Sequence, residues 1–153
     1  MNRIESYPKL TIDIVKWIKD YYFYNNIDTL VVGVSGGIDS AVVSTLCAET
    51  GLPTYVITVP LDSKKENTEL SNLHARELAE KYENVEILDI DLSGVFHTLI
   101  STIGLQTSKE GYTYNRDLIT NEHSNANTKS RLRMVTLYQI AGSVGGIVVG
   151  TGN

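Results

Sequence analysis

The sequence predicts an α/β protein: a doubly wound parallel sheet with helices on both faces. Four short β-branched and aliphatic runs, TLVVGV, TYVITV, VEILDI and GGIVVG, lack polar alternation, as strands buried on both faces do. Segments with helical spacing of apolar residues separate them, which implies right-handed crossovers between parallel strands. The length of 153 residues suits one domain, and neither a linker nor an internal repeat marks a second.

From Pro8 to about Tyr24, Leu10, Ile14, Val15, Trp17, Ile18, Tyr21 and Tyr22 recur at helical spacing, with Pro8 acceptable in a first turn. Thr29 to Val34 is the first strand. After SGG, helical spacing resumes through IDSAVVSTLCAET and stops at Gly51, a C-terminal cap. Thr54 to Val59 is the second strand, ended by Pro60, which supplies no ladder donor. Glu66 to Tyr82 reads as a helix with Ser71, Ala75, Leu78, Ala79 and Tyr82 on one side. Val85 to Ile90 is the third strand and Leu92 to Ile103 the next helix. Gly104 to about Ser124 turns polar and irregular and reads as a long loop, a feature that is usually functional or mobile. Asn127 to about Val144 is the last helix, its core side marked by Met134, Leu137, Tyr138 and Ala141, and Gly145 to Gly150 the last strand.

Ligands of such sheets bind beyond the carboxyl ends of the strands. That rule singles out SGG after the first strand, PLD after the second, the acidic DID ending the third and TGN after the last. Composition narrows the ligand classes. The net charge of −5 argues against a nucleic-acid binder held by a basic surface. The single cysteine, Cys47, forms no internal disulfide, and His74, His97 and His123 lie too far apart for a histidine metal motif. No stretch approaches the ~20 apolar residues of a membrane span, and the start, MNRIESYPKL, lacks a signal-peptide run, so a soluble, cytoplasmic protein is expected.

The densest signal is Gly33-Val34-Ser35-Gly36-Gly37-Ile38-Asp39-Ser40, where a buried strand runs through a glycine turn into a helix. Gly36 and Gly37 allow positive φ and close approach of a ligand to the backbone, and the helix that follows offers unpaired N–H groups to an anion. Ser35 and Ser40 add hydroxyl donors, completing a phosphate cradle. Asp39 has two readings. A carboxylate beside phosphate implies a bridging divalent cation, magnesium held jointly by Asp39 and phosphate oxygens; alternatively it complements the helix dipole. A Walker A loop is excluded because Asp39, not lysine, precedes Ser40, and the glycine spacing does not fit the dinucleotide fingerprint. Gly33-Val34-Ser35-Gly36-Gly37 does fit the G-x-S-x-G nucleophile elbow, so Ser35 as a hydrolase nucleophile, with Asp91 and His97 or His123, stays open.

Ser35-Gly36-Gly37-Ile38-Asp39-Ser40 resembles the SGGxDS loop of the ATP pyrophosphatases, enzymes that split ATP between its α- and β-phosphates and pass AMP to an acceptor. A second motif is more selective. Asn127-Thr128-Lys129-Ser130-Arg131-Leu132-Arg133-Met134, then Tyr138, then Gly145 to Asn153, resembles the second half-site of the NAD synthetases, where a helix opening N-x-K-x-R-x-R-M leads to a strand ending G-T-x-N or G-T-x-D. The resemblance implies an adenine nucleotide α-hydrolase-like fold and ammonia-dependent amidation of deamido-NAD. It further implies that Gly33, Val34, Ser35, Gly36, Gly37, Ile38, Asp39, Ser40 and Thr151 bind ATP, that Asp39 ligates magnesium, and that Arg131 binds deamido-NAD. No protein nucleophile is implied.

Lys129, Arg131 and Arg133 form a stretch with no acid from His123 onward, an expected local anion site. Arg131 and Arg133, two apart and hence ~200° around a helix, do not both face one phosphate easily, and Arg133 is left without a ligand role. Family members carry a basic residue near the end of the second strand, where Thr58-Val59-Pro60-Leu61-Asp62 has none; Lys64 or Lys65 is the available substitute. The resemblance also implies a homodimer and a chain that continues past Asn153, so that a C-terminal portion is missing here. The rival classes are another ATP pyrophosphatase that amidates or modifies tRNA, the serine hydrolase, and an inactive nucleotide-binding module.

Overall fold

A computed structural model describes residues 6–62, 65–108 and 111–151. Lys64, Gly152 and Asn153 of the sequence motifs lie outside them. In chain order the elements are α1 (Tyr7–Tyr24), β1 (Thr29–Val34), α2 (Ile38–Glu49), β2 (Thr54–Thr58), α3 (Lys65–Lys81), β3 (Val85–Asp89), α4 (Ser93–Gly104), β4 (Leu105–Ser108), β5 (Gly111–Tyr114), α5 (Glu122–Ser143) and β6 (Gly146–Val148). β1, β2, β3 and β6 form one parallel sheet in the order β3-β2-β1-β6, with Val32 opposite Val56, Val56 opposite Ile87, and Leu30 opposite Ile147.

The alternation of side chains along β1 divides the core. Leu30, Val32 and Val34 point to one face, where α1, α2 and α3 bring Ile18, Tyr22, Cys47, Ala48, Ala75 and Leu78. Val31 points to the other, where it joins Ile57, Val59 and Ala141, with Leu92, Leu137 and Ile140 packed around them. Helices thus cover both faces, as the uninterrupted apolar strands require. Each fully buried aliphatic side chain contributes about 1.5–3 kcal/mol.

Local chemistry sets the element ends. Ser6 caps α1 by accepting from the Lys9 N–H at 3.4 Å, with Pro8 in the first turn. Gly51, directly after the Thr50 C-cap of α2, takes φ +69, the left-handed conformation that ends a helix. Asn84 Nδ2 ties the end of α2 to the start of β2 through the carbonyls of Ala48 and Leu52, at 3.1 and 2.8 Å.

The segment 104–124 departs from the expected loop. β4 and β5 pair antiparallel, Leu105 opposite Tyr114 and Ser108 opposite Gly111, and a 3₁₀ turn covers Arg116–Leu118. The hairpin folds back on α4: the Asn115 N–H donates to the Gly104 carbonyl at 2.8 Å, and the Tyr114 ring packs against Gly104. α5 begins at Glu122, ahead of the expected Asn127, because the Asn121 side chain caps it by accepting from the Ser124 N–H at 2.8 Å. Among the described residues, no helix is long and apolar enough to cross a membrane.

Candidate functional site

The strand order reverses at β1. From β1 the chain proceeds outward through β2 and β3, then returns through α4, the hairpin and α5 to place β6 on the other side of β1. At such a switch point the loops leave in opposite directions and open a crevice at the carboxyl ends of the strands. The Ser35–Ser40 loop stands at this point.

The loop is held by its own hydroxyls. Ser40 Oγ, buried under the turn, donates to the Gly37 carbonyl at 2.9 Å and accepts from the Ser35 N–H at 3.2 Å. Ser35 Oγ lies 3.2 Å from Ser40 Oγ and accepts from the Gly37 N–H at 3.4 Å. Gly36 takes φ +82, and a Cβ there would fall 2.6 Å from the Asn67 carbonyl oxygen of α3. Only glycine fits both the conformation and the contact. Gly37 is the N-cap of α2, so the first-turn N–H groups of that helix open at the turn, with exposed Asp39 beside them.

Below Ser40 the loop is anchored to the core. The fully buried Ser44 donates to the Ser40 carbonyl at 2.8 Å and lies 2.8 Å from His74 Nε2 on α3. His97 Nε2 lies 3.1 Å from Asp62 Oδ2. His97 is thus paired with Asp62, and among the described residues neither His97 nor His123 is hydrogen-bonded to Ser35, which is engaged by Ser40 and Gly37.

Two clefts flank the loop. One, of about 640 Å³, lies between β1 and β6 and is lined by Gly33, Ser35, Gly37, Ile38, Asp39, Ser40 and Thr151, with apolar walls from Val43, Met134, Leu137 and Val148. It gathers most of the residues that the resemblance assigns to ATP. The other, of about 410 Å³, lies between β1 and β2 and is lined by Gly33, Val34, Ser35, Val59, Pro60, Asn67, Ser71 and Arg133. Leu137 borders both.

The three cations of α5 disperse. Lys129 Nζ bonds Asp62 Oδ2 at 3.2 Å and sits over the Phe96 ring. Burial raises the Asp62 carboxyl, but Lys129 and His97 outweigh it and hold the group below its ordinary value. Arg131 is exposed and lines neither cleft; its guanidinium folds back to the Asn127 carbonyl at 3.1 Å. Arg133, given no ligand role from sequence, reaches into the β1–β2 cleft and donates through Nε to the Val59 carbonyl at 3.2 Å. The helical angle between the two arginines is the signal that separates them, but it does not say which one turns inward.

The remaining sequence candidates have structural uses. Thr58 donates to Asp89 Oδ1 at 2.7 Å, and Asp91 accepts from the Ser93 N–H at 2.8 Å at the start of α4, so two acids of the DID run are occupied within the fold. Lys65 is exposed and lies 3.7 Å from Glu69. The cleft contributions of Asn67, Thr68 and Ser71 were not legible in sequence, since α3 reads there as an ordinary polar helix start.

A parallel sheet whose switch point carries a glycine-serine turn, a helix N-terminus and an aspartate defines an ATP-pyrophosphatase-like protein of the adenine-nucleotide α-hydrolase type. Its sequence also matches the NAD synthase family model over residues 10–153, and the chain belongs to that family. It is 31% identical over 149 residues to an NH(3)-dependent NAD(+) synthetase of Finegoldia magna, covering 97% of this chain and 54% of the relative. Among solved structures, NMN synthetase from Francisella tularensis superposes with a TM-score of 0.79 at 26% identity, over 98% of this chain and 56% of that one. NH3-dependent NAD synthetase from Campylobacter jejuni superposes with a TM-score of 0.76, also at 26% identity, over 97% and 57%. The chain spans about half the length of the curated relatives it matches.

Proposed function

We propose that this chain is the nucleotide-binding core of an ammonia-dependent NAD synthetase, which amidates deamido-NAD at the expense of ATP. The observation that carries the reading is the Ser35–Ser40 loop at the β1–β6 switch point in a chain of the NAD synthase family. In the proposed reaction the nicotinate carboxylate attacks the α-phosphorus of ATP, forming an adenylate and releasing pyrophosphate. Ammonia then attacks the activated carbonyl, forms the amide and expels AMP. Both steps rest on positioning and charge stabilisation, so no side chain need act as nucleophile.

In this reading Gly33 to Ser40 and Thr151 bind ATP, the loop N–H groups facing the leaving pyrophosphate, and exposed Arg131 binds the dinucleotide. Asp39 holds magnesium. Among the described residues no three His, Cys, Asp or Glu side chains gather into a metal cage. A single carboxylate at a phosphate loop fits magnesium, which binds through one or two carboxylates and substrate phosphates. When bound, magnesium neutralises phosphate charge. Exposed Met134, Val135 and Tyr138 on α5 support a homodimer, and a reaction that draws on ATP and ammonia suits the cytoplasm.

The test is an assay of NAD and pyrophosphate release with deamido-NAD, MgATP and ammonium, on the wild-type chain and Asp39→Ala. The expected result is ammonium-dependent NAD formation that Asp39→Ala lowers at least tenfold. Pyrophosphate release with no amide formed from deamido-NAD sinks the substrate assignment, and equal rates in the variant remove the metal role. Because one structural relative is an NMN synthetase, the assay includes the corresponding mononucleotide acid; preference for it would shift the reading to that product.

A further inference from the structure

Helix α3 touches the loop and its helix at two levels. At the turn, Gly36 lies against the Asn67 carbonyl, so close that a Cβ would fall 2.6 Å from its oxygen. One turn below the loop, Ser44 Oγ of α2 lies 2.8 Å from His74 Nε2 of α3. Asn67, Ser71 and His74 follow at helical spacing and share one face of α3. Asn67 and Ser71 line the cleft between β1 and β2, and further along, Ala75 and Leu78 join the same apolar cluster as Ala48 of α2. Apolar contacts of that kind are non-directional, whereas a hydrogen bond has a preferred geometry.

Proton counting fixes the direction of the Ser44–His74 bond. Ser44 Oγ carries a single proton and has three partners: the Ser40 carbonyl at 2.8 Å, the Ala41 carbonyl at 3.1 Å and His74 Nε2 at 2.8 Å. The carbonyls only accept. Were the hydroxyl to donate to the ring, its oxygen would face two carbonyl oxygens with no proton between them, in a fully buried site where unmade bonds are costly. Every atom is satisfied when Nε2–H donates to Oγ and Oγ donates to the carbonyl edge of α2.

We infer that His74 is a positioning residue for the nucleotide loop: by donating to Ser44 it commits the Ser44 proton to Ser40, and so sets where the first turn of α2 sits along α3. This rests on the nucleotide reading of the loop given above. Ser40 is then held from two sides, its carbonyl by Ser44 and its hydroxyl by the Ser35 N–H and the Gly37 carbonyl. With that turn fixed, Gly36 meets Asn67 and the loop N–H groups keep the placement that a phosphate requires. His74 itself lines neither cleft beside the loop, so its effect on a ligand passes through Ser44 and Ser40.

Calorimetric titration of the chain with MgATP tests the role. His74→Leu, which removes the donor, is expected to weaken MgATP about three- to tenfold, the range of one neutral hydrogen bond. His74→Gln places an amide N–H the same number of bonds from Cβ and is expected to rescue the affinity to within about twofold of wild type. Ser44→Ala should weaken binding as much as His74→Leu, and the double variant no further, because both residues act through one bond; Ser44→Ala also carries the test if His74→Leu does not fold. Nitrogen NMR shifts of the neutral imidazole should place its proton on Nε2, and a proton on Nδ1 overturns the donation. Unchanged affinity in His74→Leu and Ser44→Ala, whatever happens to their melting temperatures, overturns the positioning role, as do additive losses in the double variant or a His74→Gln that fails like His74→Leu. A wild-type chain that does not bind MgATP overturns the nucleotide reading itself and the loop role with it, a separate failure seen before any variant is made.

Discussion

The Cβ that Gly33 lacks would fall 2.9 Å from Leu137 Cδ1, so a methyl group at the end of β1 must push aside the end of a leucine side chain on α5. Leu137 borders both clefts beside the loop. Gly33→Ala is expected to cost about 1 kcal/mol of stability or less, because the end of the Leu137 side chain can swing aside, and to turn that side chain into the clefts, weakening MgATP binding. Thermal melts and ATP titration check both effects. In the double variant Gly33→Ala, Leu137→Ala the affinity recovers, because the displaced side chain is gone; persistent loss there would show that Leu137 is not the cause.

Gly36 and Gly37 predict unequal responses although they are neighbours in one motif. At Gly36 an alanine meets both a φ of +82 and the Asn67 carbonyl, which is backbone and does not yield like a side-chain end. At Gly37, φ is −90 and the nearest contact of a Cβ is Ser35 Oγ at 3.4 Å. Gly36→Ala is therefore expected to destabilise the chain by at least about 1–2 kcal/mol more than Gly37→Ala. Urea denaturation of the two variants measures the difference, and equal midpoints would contradict the close contact of the loop with α3.

Much of the fold and the core of the site were legible because each rests on local chemistry. Apolar runs marked the sheet, and Gly36-Gly37 followed by Asp39 marked the loop. The hairpin was missed because β5 is exposed along its length, and its polar and amphipathic residues show no apolar alternation to betray a strand. The last helix was read less well: Asn121 caps it ahead of the expected start, and Met134 and Tyr138, expected on its core side, are exposed, while Ala141 is buried and Leu137 packs against the core. The placement of Arg133 eluded sequence because it depends on the approach of α5 to Val59, residues 74 apart in the chain.

Cys47 is fully buried beside Ile18, Tyr22 and Leu30, and burial pushes its thiol up to about 12. In an unfolded chain the thiol ionises near ~8.5. The folded state thus retains a proton that the unfolded state releases within this window. Its contribution to stability is full below the unfolded value and is lost as pH rises towards the folded one, at up to about 1.4 kcal/mol per pH unit. Urea melts at pH 8 and pH 10 should show a larger drop for wild type than for Cys47→Ala. Iodoacetamide at pH 8 should label Cys47 only as the chain unfolds; rapid labelling of the native protein would contradict its burial.

The sheet order β3-β2-β1-β6 also governs when the cleft comes into being. β1, β2 and β3 are joined by short crossovers, whereas Gly146 finds Thr29 only after most of the described chain has been laid down between them. Such distant pairings carry the larger loop-closure cost and form slowly. A chain that has zipped its first three strands already has the loop but lacks one wall of the cleft between β1 and β6. A ligand that needs both walls binds the finished fold alone and stabilises it by mass action, about 2.7 kcal/mol at a hundredfold excess over its Kd. Occupancy of that cleft is thus a proofreading signal for the last strand to dock.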